Sequence, residues 1–283
     1  MKANSYGKSR VRVTKVTRKP GVHQVRQMEV QAILHGAFEG TYITGDNSSV
    51  VATDSIKNTV YAVASDADID SVEQFGVRLA SHFVNKYAHV SRATIDISEE
   101  LWDRIATPSG PHPTAFVSRG GERRTARVTL QRGAAPMIEG GIVNLSVLRT
   151  AGSEFSDFVT DEFRLLANSK DRIFATVVTS TWAYNTQTAD FNATYRRIRD
   201  ATLSIFGNHH SLSVQHTMHE VGVNAIRQCP EIEEIRMVMP NKHHIPFDLS
   251  RLGNRQNKNE IFVAVDEPQG MILETVGRAR SKM

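Results

Sequence analysis

Twice along this chain of 283 residues, two runs of alternating apolar and polar residues precede two stretches whose apolar residues recur every three or four positions. Alternation puts side chains on opposite faces of a strand, and recurrence near 3.6 puts them along one side of a helix. The order therefore reads strand, strand, helix, helix, then strands again. In the first half, Arg10 to Val16 alternate, as do Met28, Val30, Ala32 and Leu34, with Pro20 and Gly21 supplying a hairpin turn. Thr53 is placed to cap a short helix over Asp54 to Ala62, and Asp70 or Ser71 a longer one striped by Phe75, Leu79 and Phe83. Ala93, Ile95 and Ile97 begin another strand. Two more are expected near His112 to Val117 and Thr125 to Leu130, around a turn at Arg119-Gly120-Gly121.

The second half repeats the plan, with strands at Val143 to Arg149 and Ile173 to Tyr184, and helices at Asp190 to Phe206 and about Ser213 to Cys229. Phe191, Tyr195, Ile198 and Ile205 form one helical stripe, Pro230 stops the other helix, and Ile235 to Met239 resume a strand. Helices that follow hairpins, instead of alternating singly with strands, predict an α+β layered fold with antiparallel sheets and argue against a doubly wound parallel sheet. The Gly- and Pro-bearing stretch from Gly133 to Gly141 is the expected boundary between an N-terminal module, residues 1–136, and a C-terminal one, residues 137–283.

A chain this long with 40% hydrophobic residues fills the cores that such a duplication needs. No run approaches the roughly 18 apolar residues that cross a bilayer, and the opening MKANSYGKSR lacks a secretory apolar stretch, so an intracellular protein is expected. The single Cys229 forms no internal disulfide or cysteine-rich metal site, and is expected to be a small buried side chain. A formal charge of +4 favours anionic ligands only weakly. The densest basic stretch, Arg119 to Arg132, alternates like a solvated strand face, which speaks against a nucleic-acid module.

The sequence lacks GxGxxG, GxxxxGK[ST] and HExxH, the usual marks of dinucleotide, nucleotide-phosphate and zinc sites. His216 and His219, in HTMHE, lie at i and i+3 on an expected helix, where a surface role outweighs a shared metal. His243 and His244 are adjacent in an expected strand and should face opposite ways, which disfavours a common metal.

Several segments, spread from Tyr6 to Gly277, share an order with one family. They are Tyr6-Gly7-Lys8, Gly45-Asp46-Asn47-Ser48, and Val51-Ala52-Thr53-Asp54-Ser55-Ile56-Lys57-Asn58-Thr59. Ser153-x-Phe155-x-x-Phe158 then leads to Phe163, Leu166 and Arg172, and Ser213-Val214-Gln215 and Pro240-Asn241-Lys242-His243-His244 complete the set. In these segments the chain resembles the urate oxidase (uricase) family. It departs at Leu148-Arg149-Thr150, where the family commonly has lysine, and in the histidines of HTMHE.

The resemblance implies two tandem T-fold modules in a homotetramer, with active sites between subunits. It implies cofactor-independent oxidation of urate by O2 and water to 5-hydroxyisourate and H2O2, with no metal. It also assigns roles: Lys8, Thr53 and His243 as a catalytic proton relay, and Thr53, Asp54, Phe155, Arg172, Val214, Gln215 and Asn241 as substrate contacts. These residue types suit a flat, anionic purine. An arginine fork and a glutamine amide clamp opposite edges, an aromatic ring stacks on the face, and a backbone N–H at a helix start meets negative charge. Read without the resemblance, Arg172 is a strand-surface residue, Phe155 a core aromatic, Gln215 a solvated side chain, and Thr53 a helix cap. A zinc-dependent T-fold enzyme acting on a pterin-like ring and a non-catalytic purine-binding protein stay open as alternatives. Ser281-Lys282-Met283 is similar to a peroxisomal tripeptide but ends in methionine; a bacterial protein would be cytoplasmic.

Overall fold

The computed structural model describes residues 1–279. The tripeptide Ser281-Lys282-Met283 lies outside the described residues. The chain divides into two compact units, residues 1–142 with 182–195, and residues 143–181 with 196–283.

In the first unit, strands β1 (Tyr6–Lys19), β2 (Val22–Gly36), β3 (Val90–Thr107) and β4 (Gly110–Gln131) form antiparallel neighbours in that order. Helices α1 (Glu39–Ile43), α2 (Thr53–Asp66) and α3 (Val72–Lys86) join β2 to β3. The alternation in β1 and β2 sends Val11, Val13, Met28, Val30 and Leu34 to the helix side, where they meet Ile56, Val60, Phe75, Leu79 and Phe83. Full burial of each large apolar side chain stabilises by about 1.5–3 kcal/mol relative to exposure. Gly76 lets α3 approach closely, since a Cβ there would lie 2.7 Å from Val128 Cγ2.

Three expectations change here. Thr53 is the first helical residue of α2 and Ala52 its cap, with no side-chain cap bond, because the preceding chain stays extended one residue less than the pattern suggested. Arg119-Gly120-Gly121 is no turn. β3 pairs with β4 on both sides of this segment, up to Ser118 and again from Arg123, and Gly120, at φ 79°, lies in the bulge between them. Arg124 does not belong to a solvated face: it is buried, donating to Glu73 Oε2 at 2.7 Å and to Asn192 Oδ1 at 2.6 Å, with Tyr195 under its guanidinium at 4.8 Å. Alternation separates two faces but does not say which one is covered. Ser71 caps α3, accepting from Gln74 N.

In the second unit, β6 (Phe174–Tyr184), whose last three residues are counted with the first unit, β7 (Ile232–Val238) and β10 (Leu273–Gly277) are successive neighbours. A hairpin of β8 (Asn241–Pro246) and β9 (Phe262–Gly270) is inserted between β7 and β10. Strand β5 (Met137–Arg149) and helix α4 (Phe191–Asn208) run across the division between units. Helix α5 (Val214–Gln228) packs on β7 and β10 through buried Met218, Val221 and Ala225. Gly222 permits that approach, because a Cβ would stand 2.5 Å from Val276 Cγ2. Cys229 closes α5 and is fully buried. The architecture is α+β, with antiparallel sheet backed by helices. The chemistry-bearing hairpin of β8 and β9 interrupts the repeated order.

Candidate active site

Phe155 and Arg172 sit on a long loop between β5 and β6 whose shape is held by main-chain bonds. Phe155 exchanges both bonds with Ser169 at 2.9 Å, and Arg172 N–H donates to Ser153 O at 2.8 Å. Ser153 bridges in turn to Ser211, two residues before the cap of α5. The result brings the Arg172 guanidinium carbon to 5.1 Å from the centre of the Phe155 ring. Phe158 stacks on Phe155 at 4.6 Å with 13° between planes, and Arg164 lies over Phe158 at 4.2 Å. The aromatic pair is thereby held before any ligand arrives.

A cavity of about 310 Å³ opens beside this pair, lined by Phe155 and Arg172 and, from the β8–β9 hairpin, by Asn241 and His243. Asn241 reaches it because β8 pairs at its start with β6, Thr176 facing Asn241. Arg172 is half-buried and forms no ion pair among the described residues, and its Nε has no hydrogen-bond partner. Burial pulls its pKa below the ordinary arginine value, and no acidic neighbour opposes that. A guanidinium desolvated without a counter-charge is suited to receive an anion.

His244 also lines the cavity; the two histidines pair with successive residues of β9, Val265 and Ala264, and the irregularity in β8 lies before them, between Asn241 and His243. Leu166 and Phe262 also line it and were not among the expected site residues. Leu166 stood inside the family-like segment, so its spacing was an available signal, whereas Phe262 follows a polar loop and carries none.

Val214 and Gln215 begin α5. Ser213 caps the helix by accepting from His216 N at 3.1 Å, which leaves the first-turn N–H groups of Val214 and Gln215 directed out of the helix end. Val214 is buried and Gln215 exposed. Neither lines the cavity around Arg172.

Lys8, Thr53 and Asp54 belong to the first unit. The Tyr6 hydroxyl accepts from Val51 N at 2.7 Å and donates to Val51 O at 3.1 Å, tying the strand of Lys8 to the entry of α2. Asp54 Oδ1 accepts from Lys57 at 2.5 Å and Oδ2 from Asn58 at 2.8 Å. The Lys57 bond is the main reason the Asp54 carboxyl stays below its ordinary range, and Lys8 adds to the effect. With its carboxylate engaged on α2, Asp54 offers its N–H at the helix start. His216 and His219 turn to different partners, His209 at 4.5 Å between ring centres and Glu274 at 2.7 Å.

An antiparallel α+β fold whose pocket joins an arginine without an ion-pair partner, an aromatic ring, an asparagine and a histidine has the groups that suit a flat anionic ring. The comparisons make that reading specific. The family model described as Uricase matches residues 4–129 and 138–273. The uricase of Arthrobacter globiformis is 42% identical over 279 residues, 99% of this chain and 90% of that protein, and the uricase of Dictyostelium discoideum 38% over 282 residues, 99% and 98%. The crystal structure of the Arthrobacter globiformis uricase superposes with a TM-score of 0.93 at 41% identity, covering 100% of this chain and 96% of that one. The chain belongs to the uricase family.

Proposed function

We propose that the chain is a urate oxidase, an oxidoreductase converting urate, O2 and water to 5-hydroxyisourate and H2O2 without a metal or organic cofactor. The observation that carries the reading is Arg172, a partly desolvated cation with a free Nε, beside an aromatic ring in the cavity that also holds Asn241 and His243. Membership of the uricase family supports the substrate.

Arg172 clamps one edge of the purine with its fork, and Gln215 the other with its amide, joined by the main chain of Val214. Phe155 stacks on the ring face, already backed by Phe158. The N–H of Asp54, at the start of α2, meets the anion. Removing a further proton from bound urate raises its power to donate electrons. Lys8, the Thr53 hydroxyl and His243 pass that proton in series. Two electrons then go to O2, which leaves as peroxide, and the electron-poor ring takes its new oxygen from water. Thr53 and Asn241 hold the O2 or the water above the ring. Lys8, Thr53 and Asp54 are supplied by a neighbouring copy of the chain, in a homotetramer with sites at subunit interfaces.

The test is loss of urate absorbance in the ultraviolet, together with oxygen uptake and peroxide yield, on exhaustively chelated protein. Equimolar loss of urate and O2 with equimolar peroxide is the expected result. Activity that vanishes on chelation and returns with zinc would overturn the cofactor-free reading, and no urate consumption would overturn the function.

A further inference from the structure

The two proposed edge clamps, Arg172 and Gln215, lie far apart in sequence on different elements, so the gap between them must be set by something other than local structure. One group of buried hydroxyls joins the two elements. Ser211 and Thr217 are 0% and 1% exposed. The Thr217 hydroxyl, in the first turn of α5, donates to Ser211 Oγ at 2.8 Å, and Ser211 Oγ donates to Ser213 O at 3.1 Å. The main chain of Ser211 is bonded on its other side to the Arg172 loop: its N–H donates to Gly152 O at 3.0 Å and its carbonyl accepts from Glu154 N at 2.8 Å. Between those two residues, Ser153 O takes the N–H of Arg172 at 2.8 Å. The Asp171 carboxylate accepts from Gly152 N at 2.9 Å, tightening the same loop.

A continuous path therefore runs from the first turn of α5, which carries Val214 and Gln215, through Thr217 and Ser211 to Ser153 and Arg172. The elements are joined by hydrogen bonds, from Thr217 to Ser211, from Ser211 to Gly152 and Glu154 on either side of Ser153, and from Arg172 to Ser153, and Ser153, Ser211 and Thr217 are all shielded from water. A shielded hydroxyl that loses its partner is costly, so each bond is held at one length and angle. We propose that Thr217 and Ser211 are positioning residues that fix the span between Arg172 and Gln215, and with it the size of purine edge pattern the site accepts. This rests on the reading of those two side chains as the edge clamps. Neither Thr217 nor Ser211 touches the substrate in this scheme. Their effect falls on ring binding and on discrimination between purines, and not on the proton relay.

The experiment compares Thr217→Val, which keeps the volume and removes the donor, with Thr217→Ser, which restores it. KM and kcat are measured for urate, with Ki for xanthine, a purine without the C8 carbonyl. Thr217→Val should raise KM about five-fold, the loss of one buried hydrogen bond, while kcat falls by less than about two-fold. The ratio of xanthine Ki to urate KM should shrink, and Thr217→Ser should lie within about two-fold of the parent on every measure. Ser211→Ala, if Thr217→Val fails to fold, should show the same split. Gln215→Ala serves as reference: if it leaves KM unaltered, the clamp reading itself fails. If it raises KM while folded Thr217→Val does not, or if Thr217→Val only lowers thermal stability and yield, the positioning role is overturned. The double variant should bind urate no more weakly than Gln215→Ala alone, and multiplying effects would also overturn it.

Discussion

Arg172→Met separates the two things an unpaired, half-buried arginine does. In the proposed complex the guanidinium makes two charge-assisted hydrogen bonds to the anionic purine, each contributing about 1.5–3 kcal/mol. Their loss together removes about 3–6 kcal/mol from transition-state binding, so kcat/KM should fall roughly 10²- to 10⁴-fold. Without ligand the balance differs. Nε lacks a partner and burial disfavours the charge, while the ring of Phe155 at 5.1 Å returns only part of that cost. An unsatisfied buried donor costs about 1–3 kcal/mol, so replacing it with an unbranched apolar chain should leave stability unchanged or raise it, by up to about 4 °C in Tm. The N–H bond to Ser153 O survives substitution by methionine or lysine, so the loop keeps its anchor. Arg172→Lys keeps the charge but not the fork, and should chiefly raise KM. Steady-state kinetics with urate and a thermal melt of the same preparations provide both readings. A Met variant within about five-fold of the parent kcat/KM would remove Arg172 from the clamp. A Tm lowered by several degrees would mean that the guanidinium holds the loop together and is not held open for a ligand.

Lys8→Met should lower kcat by about two orders of magnitude or more while a urate analogue still binds, as checked by stopped-turnover titration; unchanged kcat would exclude Lys8 from the relay. Arg124→Met leaves the Glu73 carboxylate, 0% exposed, without its cation, and should cost about 3–5 kcal/mol in denaturant unfolding. A cost below about 1 kcal/mol would show that water reaches that pair. His219 gains a hydrogen bond and charge attraction from Glu274, so its pKa is raised. Its contribution is therefore full below the unfolded histidine pKa and fades as pH rises through the raised value. Because the ring is exposed the stability effect is small, and the sensitive readout is the ring titration by NMR: Glu274→Gln should return the midpoint toward the ordinary histidine value, and an unmoved midpoint would refute the pairing.

How much of this was legible depends on the kind of interaction that fixes each part. The hairpin of β1 and β2, the helices α2 and α3, and the stripe of Phe75, Leu79 and Phe83 follow from patterns local to the chain, and the structure contains them. At Gly120 the chain bulges and the strand resumes, where the sequence suggests a turn between two strands. A glycine reports local freedom, whereas β4 continues because β3 offers partners on both sides of that bend. The burial of Arg124 escapes the local pattern for a related reason, since its covering residues, Glu73 and Asn192, come from distant segments.

The candidate site shows the same division more sharply. Phe155, Arg172, Asn241 and His243 were named because their spacing matched a family, and the cavity gathers all four. What holds Arg172 and Phe155 there is different in kind: carbonyl and N–H groups of Ser153, Ser169 and Ser211, which every residue but proline possesses whatever its side chain. A bond made by the main chain leaves no mark on residue identity. Side chains record such a scaffold only where they join it, as the Ser211 and Thr217 hydroxyls do. Small buried hydroxyls in irregular segments near a recognised motif are therefore the residues whose chemical role composition and periodicity understate most. Substituting them should disturb substrate preference before it disturbs the fold.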